Sequence, residues 1–183
     1  MKVLVSAFKP FNKQPNNYSI EVLNYLENVT KQIVDVCYDK CYMDLCGLHD
    51  LSSYDLIIAL GEARSRSVLT LETKAYNLSS CSLKDNAGVL KQNCIINENE
   101  NEVIESKVDF NKAKDIVKLS NDPGRFVCNN LYFHLLTNYP EKSLFIHIPE
   151  CNNDKQEYIK HAKIISEIIN RLTKEAYKGN LCN

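Results

Sequence analysis

Residues 55–61 read DLIIALG. Leu56, Ile57, Ile58, Ala59 and Leu60 follow one another with no polar residue among them. A strand with one wet face would alternate, so this run suits a strand covered on both faces, as in a parallel sheet. We expect a strand over Asp55–Leu60, ended by Gly61. Ser143–Ile148 (SLFIHI) has the same character. Val3–Ala7 (VLVSA) and Gln32–Tyr38 (QIVDVCY) read as further strands, and Val68–Leu71 (VLTL) as an extended stretch.

Helical patterns lie between these runs. Ser19–Leu26 puts Ile20, Leu23 and Leu26 on one face, with Ser19 or Asn17 as the cap. Residues 39–54 are weakly periodic and allow one short helix. Asn111–Val117 reads as another short helix, and Phe126–Leu136 as a longer one. From Lys155 to Lys178, Tyr158, Ala162, Ile165, Ile169, Leu172 and Ala176 recur at spacings of three and four, the mark of a long amphipathic helix. The acidic stretch 97–108 (NENENEVIESKV) reads as a surface loop. Strands alternating with helices predict an α/β protein, a single-domain α/β/α sandwich with a mostly parallel twisted sheet over residues 1–183. There is no internal repeat and no linker.

Composition removes several function classes. A chain of 183 residues is long enough to bury one core without staples. Its net charge of −1 gives no electrostatic footprint for nucleic acid. No stretch approaches the 18 or so apolar residues of a membrane span. The apolar run in MKVLVSAFKPF is too short for a signal peptide and has no small-residue cleavage site, so the expected location is the cytoplasm. The eight cysteines need not pair there. The Asn-x-Ser/Thr triplets at Asn17, Asn28 and Asn77 then carry no meaning.

In such sheets sites collect at the carboxyl ends of strands. Gly61-Glu62-Ala63-Arg64 follows one strand, Gly124 to Cys128 opens a helix, and His147-Ile148-Pro149 ends another strand. A thiol at a helix N-terminus meets unpaired N–H groups and a positive partial charge, which favour a reactive thiolate. Cys128 is therefore a candidate nucleophile, or else a small core residue. His147 is a general base or a hydrogen-bonded core histidine. Glu72 faces solvent beside an apolar strand, or orients an imidazole. Cys37, Cys41, Cys46 and His49 form C-x3-C-x4-C-x2-H, but without the C-x2-C knuckles of zinc sites, so neither metal nor cofactor is expected. His134 and His161 read as surface or packing residues.

Taken in order, these fragments resemble the pyroglutamyl peptidase I family, the pyrrolidone carboxyl peptidases, which are cysteine peptidases. The family's G-F-x-P-F is similar to Ala7-Phe8-Lys9-Pro10-Phe11, followed by Asn17. Its D-(apolar)-G-Q-A-G-G-R is similar to DLIIALGEARSR, with Gly61, Ala63 and Arg66 matching. E-R-x-A-x-N is met by Glu72-Thr73-Lys74-Ala75-Tyr76-Asn77, and a D-N pair by Asp85-Asn86. S-x-x-x-G-x-F-V-C-N is matched from Ser120 to Asn129, and F-I-H-(V/I)-P from Phe145 to Pro149.

The resemblance implies a cysteine exopeptidase that releases N-terminal pyroglutamate, its partner being a peptide with a blocked N-terminus. Cys128 would attack the carbonyl and form a thioester. His147 would carry the proton, and Glu72 would orient His147. Phe8 and Phe11 would pack on the lactam ring, with Val127 beside them. Asn17 and the backbone near Glu62 would hold its polar edge. Family members are often oligomeric, which leaves a homo-oligomer open; no exposed apolar stripe marks an interface. The chain also departs from the pattern. Glu62 replaces a Gln, Thr73 an Arg, Ser82 an Arg near the active site, and Arg64 a Gly whose place lets it supply the missing charge. Two alternatives stand beside this reading: the same triad with altered N-terminal specificity, and a non-catalytic relative that binds peptides or partners.

Overall fold

The run that begins at Leu56 continues as a strand to Glu62, through Gly61, and is buried up to that glycine. The protein is seen here as a computed structural model that describes residues 1–173. Ala176 and Lys178 of the expected last helix, and Cys182, lie outside the described residues.

The elements in chain order are β1 (Val3–Phe8), α1 (Tyr18–Asn24), β2 (Thr30–Val34), α2 (Lys40–Leu48), β3 (Leu56–Glu62), β4 (Thr70–Glu72), β5 (Lys74–Tyr76), β6 (Val103–Glu105), β7 (Lys118–Ser120), α3 (Val127–Asn138), β8 (Ser143–Ile148) and α4 (Lys155–Thr173). Six strands form one sheet in the order β2-β1-β3-β8-β4-β7. Every pair is parallel except β4 with β8. β5 and β6 make a separate antiparallel pair. The chain leaves β1 to one side for β2 and returns on the other for β3, which opens a crevice at the strands' carboxyl ends.

Alternate strand residues feed two cores, because successive side chains point to opposite faces. On one face Val5, Ile58, Leu60, Ile146 and Ile148 pack under α1 and α4. On the other Leu4, Phe8, Ile57, Ala59 and Phe145 pack under α2 and α3. Helices on both faces make the expected α/β/α sandwich. No helix among the described residues is long and apolar enough to cross a membrane.

Three local readings are corrected, and one strand is added to them. The strand expected over Gln32–Tyr38 runs from Thr30 to Val34. Asp35 ends it by taking the Val36 N–H and pairing with Lys9 at 3.2 Å, and Val36 and Tyr38 enter the core outside the ladder. Asn111–Val117 is not a helix; one 3-10 turn over Phe110–Lys112 precedes turns leading into β7. Asn111, Asp115, Ile116 and Val117 are weaker helix formers than the lysines and alanine beside them. The acidic stretch 97–108 contains β6, whose Ile104 opposes Ala75 of β5. Finally, β7 was hidden because only Leu119 of its three residues is apolar, as suits a short edge strand.

Candidate active site

Three neighbouring strands present their side chains to the N-terminus of α3. His147 on β8 lies in register with Gly61 on β3 and with Thr70 on β4. Glu72 is two residues beyond Thr70, so it sits on the same face, diagonal to His147. Its Oε1 lies 2.8 Å from His147 Nδ1. Glu72 is fully buried and His147 nearly so, which removes the solvent-facing reading of Glu72.

Gly61 leaves the space that Cys128 fills. A methyl group there would come within 2.9 Å of Cys128 Sγ and 2.8 Å of Phe145 Cζ. The sulfur therefore lies over the bare backbone of β3, beside His147. Gly124, at φ +78°, turns the chain just before α3, in a region that only glycine enters without strain. Cys128 is the second residue of α3. The Val127, Cys128 and Asn129 N–H groups have no intrahelical acceptor; the first such bond runs from Asn130 N–H to the Phe126 carbonyl, at 3.1 Å.

The expected depression of the Cys128 thiol is overturned. Burial and the nearby Glu72 carboxylate push it up to about 12, against a weaker pull from Arg66 and the Cys128 backbone N–H. Burial likewise pushes His147 below its ordinary 6.5, although the Glu72 hydrogen bond and charge oppose this. Burial works against the Glu72 charge too, but the His147 hydrogen bond and charge, the Ser120 hydroxyl and Arg66 outweigh it and hold the carboxyl below 4.5. At rest the site therefore holds a neutral thiol, a neutral imidazole and a carboxylate.

Phe8, Phe11, Asn17, Val36, Glu62, Pro123, Phe126, Val127, Cys128 and His147 enclose a cavity of about 170 Å³. Drug-sized pockets start near ~300 Å³, so this one admits a small group. Phe11 packs at a tilt against Phe126 with ring centroids 5.8 Å apart, and Phe126 meets Tyr38 edge-on at 5.6 Å. All five residues expected to contact substrate line this cavity. Asn17 also caps α1, its Oδ1 accepting from Ser19 N–H at 3.0 Å.

The departures are settled in part by pairing. Glu62 accepts the Tyr18 N–H at 2.8 Å, at the start of α1, and pairs with Arg64 Nε at 2.6 Å. Arg64 also lies over the Tyr18 ring, 4.4 Å from its centroid. Its charge is thus committed to Glu62. The cation at the Glu72–His147 pair is instead Arg66, whose Nη1 lies 2.5 Å from Glu72 Oε1. Ser82 is solvent-exposed and does not line the cavity.

Asn129 was seen only as a motif letter. Its amide takes the Tyr76 N–H at 2.8 Å and donates to the Tyr76 and Leu78 carbonyls at 2.8 and 3.0 Å. It locks β5 to α3 beside Cys128. His134 stacks on Tyr42 and reaches Asp39, while His161 is buried, so both pack. Cys37 and Cys41 are buried, Cys46 is exposed, and His49 bonds Gln32 and Tyr54. Among the described residues no three His, Cys, Asp or Glu side chains gather as a metal would need.

The family model described as pyroglutamyl peptidase matches residues 1–171. A pyrrolidone-carboxylate peptidase of Brachyspira hyodysenteriae is 30% identical over 167 residues, covering 81% of this chain and 83% of that one. One from Thermosipho melanesiensis is 30% identical over 175 residues, covering 86% and 87%. The crystal structure of pyroglutamyl peptidase I from Bacillus amyloliquefaciens superposes with a TM-score of 0.83 at 22% identity, covering 94% of this chain and 95% of that one. The pyrrolidone carboxyl peptidase of Fervidobacterium islandicum gives 0.83 at 21%, covering 95% and 99%. These two structures share the fold. The match over nearly the whole chain and the curated relatives establish membership: this chain belongs to the pyroglutamyl peptidase family of cysteine peptidases.

Proposed function

We propose that this chain releases N-terminal pyroglutamate from peptides, with Cys128 as nucleophile, His147 as proton carrier and Glu72 as the group that orients His147. One observation carries the reading. A cavity fit for a single small ring is walled by Phe8, Phe11 and Phe126 and also holds Cys128 and His147, with Glu72 bonded behind the imidazole.

Glu72 accepts from His147 Nδ1–H, which leaves Nε2 free as a base. Because the resting thiol is neutral, His147 removes its proton as Sγ attacks the carbonyl carbon. The carbonyl oxygen gains the charge and meets the unpaired N–H groups at the start of α3. The C–N bond then breaks, and the departing amine takes the proton from His147. The thioester is cleaved when His147 deprotonates a water that attacks the same carbon. Pyroglutamate leaves and the thiol regains its proton.

The flat lactam suits the phenylalanine walls. Both Glu62 oxygens are engaged by Tyr18 N–H and Arg64, so a free α-amine meets no uncommitted carboxylate there. That favours a blocked N-terminus over altered specificity. The seven described cysteines are all unpaired, which fits a reducing cytoplasm.

Reporter hydrolysis tests the reading. With pyroglutamyl, prolyl and glutamyl amides of one fluorogenic amine, the pyroglutamyl amide is expected to be cleaved and the others left intact. Turnover of the glutamyl or prolyl amide alone, or of none, would sink the proposal.

Gly61→Ala gives a second check. The new methyl meets a packed ring and the nucleophile sulfur rather than a flexible chain end. We expect a loss of about 2 kcal/mol in urea unfolding. Displacement of Sγ should lower kcat on the order of 10²-fold. Wild-type activity would show that Sγ does not sit over Gly61 during turnover.

A further inference from the structure

We propose that Arg66 is a positioning residue that locks the Glu72 carboxylate and the loop before Cys128 into one frame, and thereby sets the proton balance of His147. The inference rests on the catalytic reading above and adds a member that touches neither substrate nor sulfur.

Arg66 lies in the loop after β3, one-fifth exposed, and does not line the cavity. Its guanidinium joins three segments. Nη1 lies 2.5 Å from Glu72 Oε1, the same oxygen that holds His147 Nδ1. Nη1 also donates to Thr70 Oγ1, two residues earlier on β4. Nη2 donates to the Asp122 carbonyl at 2.8 Å, in the loop that turns at Gly124 into α3. One planar fork thus spans the acid's strand and the nucleophile's loop, a geometry that a lysine ammonium cannot reproduce. Its shared grip on Oε1 fixes the carboxylate rotamer and leaves one face of that oxygen for the imidazole.

The charged groups facing His147 are Glu72 on β4, Arg66 in the loop after β3 and Asp122 in the loop before α3. Cys128 lines the same cavity from α3 as a neutral thiol. Glu72 and Asp122 favour the imidazolium, and Arg66 opposes it. Without Arg66, the Glu72 charge acts on His147 undiminished. The imidazole then holds its proton to higher pH and is unavailable as a base in acid.

Two variants and two readouts test this. In Arg66→Met, the NMR titration midpoint of His147, assigned with His147→Gln, should rise by about one pH unit. The acid limb of kcat/KM should rise with it. kcat should fall on the order of 10²-fold with KM unchanged, since the cavity wall is intact. Arg66→Lys should keep the wild-type His147 midpoint, because the charge stays, yet lose at least tenfold in kcat, because the fork is gone. An unmoved midpoint in Arg66→Met overturns the proposal. Should that variant fail to fold, full kcat in Arg66→Lys overturns it instead. The titration needs no turnover, so an inactive wild type would sink the catalytic reading while the His147 midpoint still decides the role of Arg66.

Discussion

Cys128→Ala is expected to stop hydrolysis of the pyroglutamyl amide reporter, with kcat falling on the order of 10⁵- to 10⁶-fold, the scale seen when a nucleophile is removed from a concerted set. Among the described residues no other thiol can take over: Cys37, Cys41 and Cys151 are buried, and none of these, nor Cys46, Cys81 and Cys94, lines the cavity. The fold should survive. Alanine removes one sulfur from a half-buried position, for a cost of about 1 kcal/mol, and opens space over Gly61. The phenylalanine walls remain, so the variant should bind a pyroglutamyl peptide without consuming it, which calorimetry can measure. Loss of both turnover and binding would point to damage of the cavity. Turnover within tenfold of wild type would place the nucleophile elsewhere.

The sheet and its two helical layers were legible because DLIIAL, SLFIHI and VLVSA are short, largely apolar runs set between helical patterns, which suits strands covered on both faces. The short strands were not. Lys118–Ser120 is a strand because Thr70, Leu71 and Glu72 pair with it, not because of its own residues. The same holds for Val103–Glu105, which lies within an acidic stretch and is fixed by its pairing with Lys74–Tyr76. At the site, Cys128 and His147 stand out by their place at a helix start and a strand end. Glu72 does not, because its meeting with His147 depends on an antiparallel register between β4 and β8. Family resemblance supplied that partner. The sign of the Cys128 shift ran against local reasoning. A helix N-terminus is visible in the sequence, whereas the burial and the carboxylate that outweigh it belong to tertiary structure. Glu62 and Arg64 read as two separate departures along the chain, and in space they are one ion pair.

Glu72→Gln should lower kcat on the order of 10⁴-fold with KM nearly unchanged. The cause is charge rather than tautomer. An amide turned to offer its NH2 to His147 Nδ1 would also face Arg66 Nη1, donor against donor, because both groups meet the same Glu72 oxygen. Arg66 therefore holds the amide oxygen toward the imidazole, and Nε2 stays bare. What disappears is the negative charge that stabilises the imidazolium formed as the thiol gives up its proton. Since the Glu72 hydrogen bond and charge raise the His147 pKa, their loss moves the acid limb of kcat/KM to lower pH. Arg66→Met moves the same limb upward, and general disorder of the site would not drive the two variants in opposite directions. Stability gives an independent check. The depressed Glu72 pKa means that its ionised form stabilises the fold at pH above its ordinary 4.5, and that this contribution is lost as pH falls through the lower folded value. The glutamine variant never has it. Urea unfolding should therefore separate the two proteins by about 2 kcal/mol at neutral pH, and the gap should narrow in acid. A gap that stays constant with pH would mean that Glu72 is not charged in the folded protein, and the orienting role would go with it.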